Sequence, residues 1–324
     1  MEAKLFTHTD LDGAVSNLIA LKYFIGKRYK VSTDLCTYGN VDKNIMGYFN
    51  SFEYNPEAVI VVTDISFSKE VAEHLDKAPN KVIMIDHHKS AEELFMDEDG
   101  RPIYDWMTIF EGDSASFLTY KYFMGISKKD SEMRTILYNY KVLVYITDLW
   151  DTKSRQSEEF IKYDKEIRNM LNLFKGIGFN AFKDRFFQNP SIKLMEKEEG
   201  VVETVERLKR NSMKKFQLYV LPVTFRGETH VFGFGFASDY ISEVAEYIFD
   251  MNDKCLFSVT LDMNYCSGSF RRNQKHPLGE EVDVEELAKQ FGGGGHPFAA
   301  GFEFEIKDYD RVIKKIINSE FNYK

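Results

Sequence analysis

The 324 residues suffice for two domains with a core each, and a hydrophobic fraction of 44% is ordinary for a globular chain. A formal charge of −9 argues against a surface built to hold long duplex nucleic acid, but not against small phosphorylated ligands gripped by local cations or bound metals. The three cysteines, Cys36, Cys255 and Cys266, contain no CxxC pair and so no zinc ribbon; with no signal-peptide pattern and no membrane-length apolar run, the expectation is a soluble, cytoplasmic protein with reduced thiols and no membrane partner.

The first half alternates strand and helix patterns. Leu5 to His8 reads as a short strand, Gly13 to Ile25 as a helix, Tyr29 to Tyr38 as a strand and Val41 to Asn50 as a helix. Ala58 to Ile65 and Lys81 to Asp86 are apolar, β-branched runs, hence buried strands, separated by a helix over Ser68 to Asp76 with Ser68 as N-cap. This alternation predicts an α/β fold with a parallel sheet covered on both faces. Helical patterns follow at Ser114–Met124, Glu132–Trp150, Glu158–Phe174 and Ala181–Phe187, and Asn189-Pro190 breaks the chain. Ser191 to Lys215 is charged and helical, the simplest linker. From Phe216 strands dominate, at 216–221, 229–234, 255–261 and 265–271, with helices at Ile241–Met251 and Val284–Phe291. The expected organisation is a first domain over 1–188, a linker helix over 189–215 and a smaller α/β domain over 216–324.

Acidic and imidazole groups mark the strand ends. His8-x-Asp10-x-Asp12-Gly13 follows the first strand, Asp64 the third, and Asp86-His87-His88 the fourth. In an open parallel sheet these ends form the ligand crevice, so residues far apart in sequence meet there. Asp148 comes instead from within an apolar helix, where a lone carboxylate needs a positive partner or a metal. Carboxylate with imidazole suits Mn²⁺, Zn²⁺ or Fe²⁺ better than Ca²⁺. The ligand count exceeds one tetrahedral ion and fits two, about 3.5–4 Å apart, which make a nucleophile from water and clamp an in-line attack on phosphorus. Phosphoester hydrolysis is the natural reaction class.

Simpler readings compete at each position. The first cluster is not an EF-hand loop, because its twelfth position is Ile19 rather than Glu. Asp10-x-Asp12 also suits an aspartyl-phosphate phosphatase, whose partner motifs are missing. Taken singly, Asp64 serves equally as a cap or a ligand, and Asp148 as half of a buried salt bridge. Asp151, His74 and Asp34 read as surface or capping residues. Glycines 292–295 are either a flexible loop or a backbone nest for an anion, with His296 and Ala299-Ala300-Gly301 favouring the latter. Arg271 beside that loop suits a phosphate fork.

Together the four clusters resemble the signature of the DHH phosphoesterase superfamily, and Phe291 to Gly301 is similar to the glycine-rich motif of its DHH-associated C-terminal domain. The resemblance implies that His8 and Asp10 hold one Mn²⁺, that Asp64 bridges, and that Asp12, His87 and Asp148 complete the second ion's shell. It implies that Asp86 orients a histidine, that His88 faces the phosphate, and that Arg271, Gly293, Gly294, Gly295 and His296 bind substrate. The His8-x-Asp10-Leu-Asp12-Gly13 spelling looks most like the NrnB-type oligoribonucleases within this superfamily. The expected cofactor is a pair of divalent ions, Mn²⁺ first. The expected substrate is a short oligonucleotide or small nucleotide; cyclic dinucleotides, nucleoside 3',5'-bisphosphates, a RecJ-like single-strand activity and binding without cleavage are the alternatives. A homodimer is the one protein partnership this reading admits.

Overall fold

Five strands in an all-parallel sheet organise the first of two units, Met1–Val205. The computed structural model describes residues 1–152, 157–237 and 240–321. In chain order the unit runs β1 (Glu2–His8), α1 (Leu11–Gly26), β2 (Lys30–Cys36), α2 (Val41–Phe49), β3 (Val59–Thr63), α3 (Lys69–Lys77), β4 (Val82–Asp86), α4 (Lys89–Phe95), β5 (Met107–Ile109), α5 (Ala115–Ile126), α6 (Ser131–Tyr138), α7 (Lys141–Thr152) and α8 (Glu158–Gln188). The sheet order is β2-β1-β3-β4-β5. All its pairs are parallel, so every strand's C-terminal end lies on one rim. Strands β3 and β4 are buried at every position because a core covers each face. Leu5, Val61, Ile83 and Ile85 pack on one side with Leu18 and Ile19 of α1. Phe6, Ile60, Val62 and Met84 pack on the other with Ile45 of α2 and Leu75 of α3.

The helical stretch departs from the sequence expectation in two places. The single helix anticipated over 132–150 is two, α6 and α7, because Asn139 caps the first. Tyr140 then turns inward and donates its hydroxyl to the Phe186 carbonyl at 3.1 Å. Conversely, α8 is one assigned span, but Gly178 breaks it with φ 76° and ψ 170°, between the two anticipated segments. Beyond it α9 (Glu196–Lys215) starts later than Ser191 because residues 189–195 wrap a buried arginine. Arg185 donates to both carboxylate oxygens of Glu198, at 2.8 and 3.1 Å, and to the carbonyls of Asn189, Ser191 and Lys193. The division between units falls inside α9, between Val205 and Glu206, rather than at either end of that helix.

The second unit, Glu206–Lys324, continues with β6 (Tyr219–Phe225), β7 (Glu228–Phe236), α10 (Ile241–Met251), β8 (Cys255–Asp262), β9 (Ser267–Arg272), α11 (Val284–Lys289), β10 (Gly294–His296), β11 (Ala299–Glu303) and α12 (Tyr309–Ile317). Its six-stranded sheet has the order β10-β11-β9-β8-β7-β6. Pairing is antiparallel except between β7 and β8, which the crossover helix α10 connects. Phe232, Phe257, Phe270 and Phe302 dominate its core.

Arg185→Ala leaves the Glu198 carboxylate buried without its main partner. The expected loss is about 3–5 kcal/mol of unfolding free energy in the first unit, measured by denaturant titration. A loss below about 1 kcal/mol would show that the pair does not hold the 189–195 turn.

Candidate metal centre and active site

The rim of the first sheet gathers the charged residues through ordinary turn chemistry. β1 ends at His8, and Asp10 N-caps α1 by accepting the Gly13 N–H at 2.9 Å. Gly13 is required because α1 starts against the strand it follows: a Cβ there would lie 2.3 Å from the His8 carbonyl oxygen. The two-residue step brings Asp10 Oδ2 to 3.0 Å from His8 Nδ1. Just past β3, Asp64 takes a left-handed backbone with φ 61°, a conformation worth of order 1 kcal/mol of strain in a residue other than glycine. Its side chain is 1% exposed and neither oxygen accepts a hydrogen bond. β4 ends in Asp86, whose Oδ1 accepts the N–H groups of His87 and His88, at 2.8 and 3.3 Å, and sits 2.7 Å from His88 Nδ1. Against that carboxylate Nδ1 carries the proton, which leaves Nε2 of His88 as its second working atom.

His87 occupies the middle of the cluster. Its Nε2 lies 3.3 Å from Asp64 Oδ1 and 3.7 Å from Asp12 Oδ2, and its Nδ1 lies 3.4 Å from Asp151 Oδ2. Asp12 is fixed from behind: Oδ2 accepts the Ala115 N–H at 2.8 Å and Oδ1 the Ser116 N–H at 3.0 Å. Asp148 Oδ1 accepts the Ser114 N–H at 2.8 Å. The first N–H groups of α5, which have no partner inside the helix, thus hold two carboxylates delivered by α1 and α7.

Two sets of candidate ligand atoms result, each within 4.8 Å of one another: His8, Asp10 and Asp64, and Asp12, Asp64 and His87. Asp64 belongs to both. A buried carboxylate with no hydrogen bond on either oxygen, flanked by imidazole and further carboxylates, fits a shared ligand of two divalent cations. A third set, Asp64, Asp86 and His88, adjoins them. Asp148 is absent from these sets; it is 7% exposed and anchored on α5.

Sequence reasoning passed over Asp151, which is not a surface residue but faces His87. The signal was present: Asp148 and Asp151 are three residues apart in α7 and so share a face. It also passed over Ser114 to Ser116, where nothing but tertiary structure reveals the backbone donors. Tyr38 was missed as well; its ring lies 5.5 Å from that of His8 and 5.8 Å from that of His88. Asp34 pairs with Lys4 at 2.7 Å and His74 packs on Phe49, both away from the cluster.

Crowding shapes the charges. Burial, reinforced by Asp10 and Asp12, pushes the Asp64 carboxyl well above its ordinary range. Burial opposes charge on His8, yet the Asp10 and Asp64 carboxylates raise its pKa well above the usual value. Burial, opposed by His87 and assisted by Asp12, Asp10 and Asp148, lifts Asp151 to about 7.

In the second unit, Arg271 of β9 stands opposite Ala299 of β11, which in turn stands opposite His296 of β10. Directly opposed residues share a face, so Arg271 and His296 flank the small Ala299 on one side of the sheet. Arg271 donates to the Phe270 carbonyl at 2.8 Å and lies 3.9 Å from Glu246 of α10. The glycines there have packing duties. A Cβ on Gly293 would lie 2.0 Å from the Gly301 carbonyl oxygen, and its N–H is already donated to Ala288. Gly294 faces open space.

Residues 223–320 match the DHHA1 domain family. The fold of the whole chain aligns with a solved DHH domain described as a member of the S1p family of ribosomal proteins, at a TM-score of 0.61 and 12% identity, over 100% of this chain and 87% of that one. It aligns also with RecJ from Thermus thermophilus in complex with Mn²⁺, at a TM-score of 0.53 and 11% identity, over 99% of this chain and 52% of that one. The second unit thus carries a DHHA1 domain, and the fold of the whole chain is similar to that of solved DHH-domain proteins. In sequence it is similar to the oligoribonuclease NrnB of Bacillus subtilis, 27% identical over 95% of this chain and 74% of that protein. Among the described residues no helix is long and apolar enough to cross a membrane.

A carboxyl whose folded pKa is raised contributes stability at low pH that is lost as pH climbs to the folded value. Metal-free Asp151→Asn is therefore expected to gain on wild type as pH rises from 3.8, the ordinary value, to about 7, with a constant difference above. Paired melting curves in chelator check this; a difference that narrows over that interval contradicts the placement of Asp151.

Proposed function

We propose that this protein is a divalent-metal-dependent phosphodiesterase that hydrolyses short oligonucleotides to nucleoside monophosphates. The observation that carries the reading is Asp64, buried, with neither oxygen hydrogen-bonded, and common to both ligand sets. His8 and Asp10 would hold one ion, Asp12 and His87 the other, and Asp64 both, with Asp148 completing the shell of the second ion. Mn²⁺ is the preferred occupant because mixed imidazole and carboxylate sets suit it. When bound, the ions supply a nucleophile from water and neutralise charge on the phosphoryl oxygens.

The chain's own residues divide the remaining work. Asp86 fixes the His88 ring and its tautomer through the 2.7 Å contact at Nδ1. As an imidazolium, protonated at both ring nitrogens, His88 would donate from Nε2 to a phosphoryl oxygen and stabilise the charge that grows in the transition state. Asp151 orients His87 from its other side at 3.4 Å. Arg271, His296 and the glycines 293–295 would bind the nucleotide, with Gly294 the position most open to close approach. The similarity to the oligoribonuclease NrnB supports a short oligonucleotide as substrate.

Incubation of the protein and Mn²⁺ with pApA, a cyclic dinucleotide, pAp and pyrophosphate, resolved by chromatography, tests the assignment. The expected outcome is AMP from pApA at the highest rate. Faster turnover of the cyclic dinucleotide or of pAp would reassign the substrate, and binding without turnover would reassign the protein as a nucleotide-binding module.

Asp64→Asn is expected to lower Mn²⁺-dependent cleavage of pApA by more than the roughly 10–100-fold that residues behind metal ligands contribute, with secondary structure retained by circular dichroism. Cleavage within threefold of wild type would sink the two-ion reading. Arg271→Ala and His296→Ala are expected to raise KM for pApA about tenfold while leaving hydrolysis of bis-p-nitrophenyl phosphate within twofold. Equal losses on both substrates would argue against a substrate role for these residues.

A further inference from the structure

Tyr38 is a large aromatic residue left 47% exposed directly beside the catalytic cluster. It follows β2, whose end lies on the same rim as those of β1, β3 and β4. Its ring meets that of His88 edge-on, at 5.8 Å and 90°, and lies tilted to that of His8, at 5.5 Å and 55°. One neighbour is a candidate ligand and the other the candidate phosphate-facing residue, so the ring lies beside the place the proposed function gives the scissile phosphate.

The turn that carries Tyr38 is locked on both sides. Thr37 donates its N–H to Asn40 Oδ1 at 2.8 Å, and the N–H groups of Asn40 and Val41 both return to the Thr37 carbonyl at 3.0 Å. Asn44 of α2 donates to the Leu35 carbonyl at 3.3 Å from below. An aromatic side chain on a fixed turn presents its face with little ordering cost on binding. Phe52, by contrast, is 99% exposed; isolated exposure of that kind is ordinary.

We propose that Tyr38 is the stacking platform for the nucleobase next to the scissile phosphate, a specificity-determining residue that selects nucleotides over other phosphodiesters. The assignment rests on the phosphodiesterase reading above. Base–aromatic stacking is sequence-tolerant, because every base has a π-face, so a platform here fits a substrate chosen by length rather than by sequence.

The test compares wild type, Tyr38→Phe and Tyr38→Ala on pApA and on the same dinucleotide with one base removed, each base position in turn. Tyr38→Ala is expected to raise KM for pApA about 5- to 150-fold, the range for losing one stacked base. It should cost less than twofold on one of the two abasic substrates, and Tyr38→Phe should match wild type throughout. A penalty that persists on both abasic substrates, or a Tyr38→Phe variant as impaired as Tyr38→Ala, overturns the platform and points to the hydroxyl or to a structural role. A second readout needs no turnover: 2-aminopurine riboside monophosphate should lose fluorescence on binding wild type and Tyr38→Phe, but not Tyr38→Ala. Quenching without any cleavage of pApA would overturn the phosphodiesterase reading and uphold the platform; cleavage without Tyr38-dependent quenching would do the reverse.

Discussion

Mutual repulsion among buried carboxylates is the constraint from which the first unit's design follows. Asp10, Asp12 and Asp64 converge on one rim, with Asp86, Asp148 and Asp151 close behind them. Without cations burial and then the neighbouring carboxylates drive Asp64 and Asp151 towards protonation, while the imidazoles beside Asp10 and Asp86 keep those two ionised. A chain selected for stability alone would have no reason to assemble it. The remaining features hold the cluster against that repulsion: the Asp10 cap, the left-handed turn at Asp64, the backbone donors of α5 and the two cores that clamp the sheet.

Those supports differ in kind. Gly13 and Asp10 act through local geometry, which ties α1 to the end of β1. Asp86 acts on its own strand end, where one carboxylate oxygen fixes two backbone groups and one ring. Asp12 and Asp148 are held over long sequence separations by backbone N–H groups at the start of α5. Local supports can be seen in a sequence and remote ones cannot.

This distinction explains what was legible. The alternation of apolar runs and amphipathic segments disclosed the parallel sheet, and strand-end placement disclosed His8, Asp64 and Asp86-His87-His88, because both depend on short-range periodicity and one topological rule. The Gly178 break was signalled by the gap between two helical patterns. The interruption at Asn139 was not, because apolar periodicity continues across it and only the burial of Tyr140 reveals the turn. β5 and β10 are three residues each, too short for a periodic signal. Asp151 reads as a surface residue when taken alone, and its three-residue spacing from Asp148 together with its 3.4 Å distance to His87 shows otherwise. The glycines of 292–295 were noticed for the right reason, close approach, but Gly293 approaches its own sheet.

The grip of α5 on Asp12 bears on which ions suit the site. Each of the Asp12 oxygens already accepts one N–H, so neither oxygen has both lone pairs free. Such a carboxylate keeps one free lone pair on each oxygen and resists rotating to suit a different ion. Large ions such as Ca²⁺, which take six to eight oxygens and commonly use carboxylates in pairs, lose most from that restriction. Smaller ions with lower coordination numbers lose least. A helix end that never touches the metal would in this way act as a size filter.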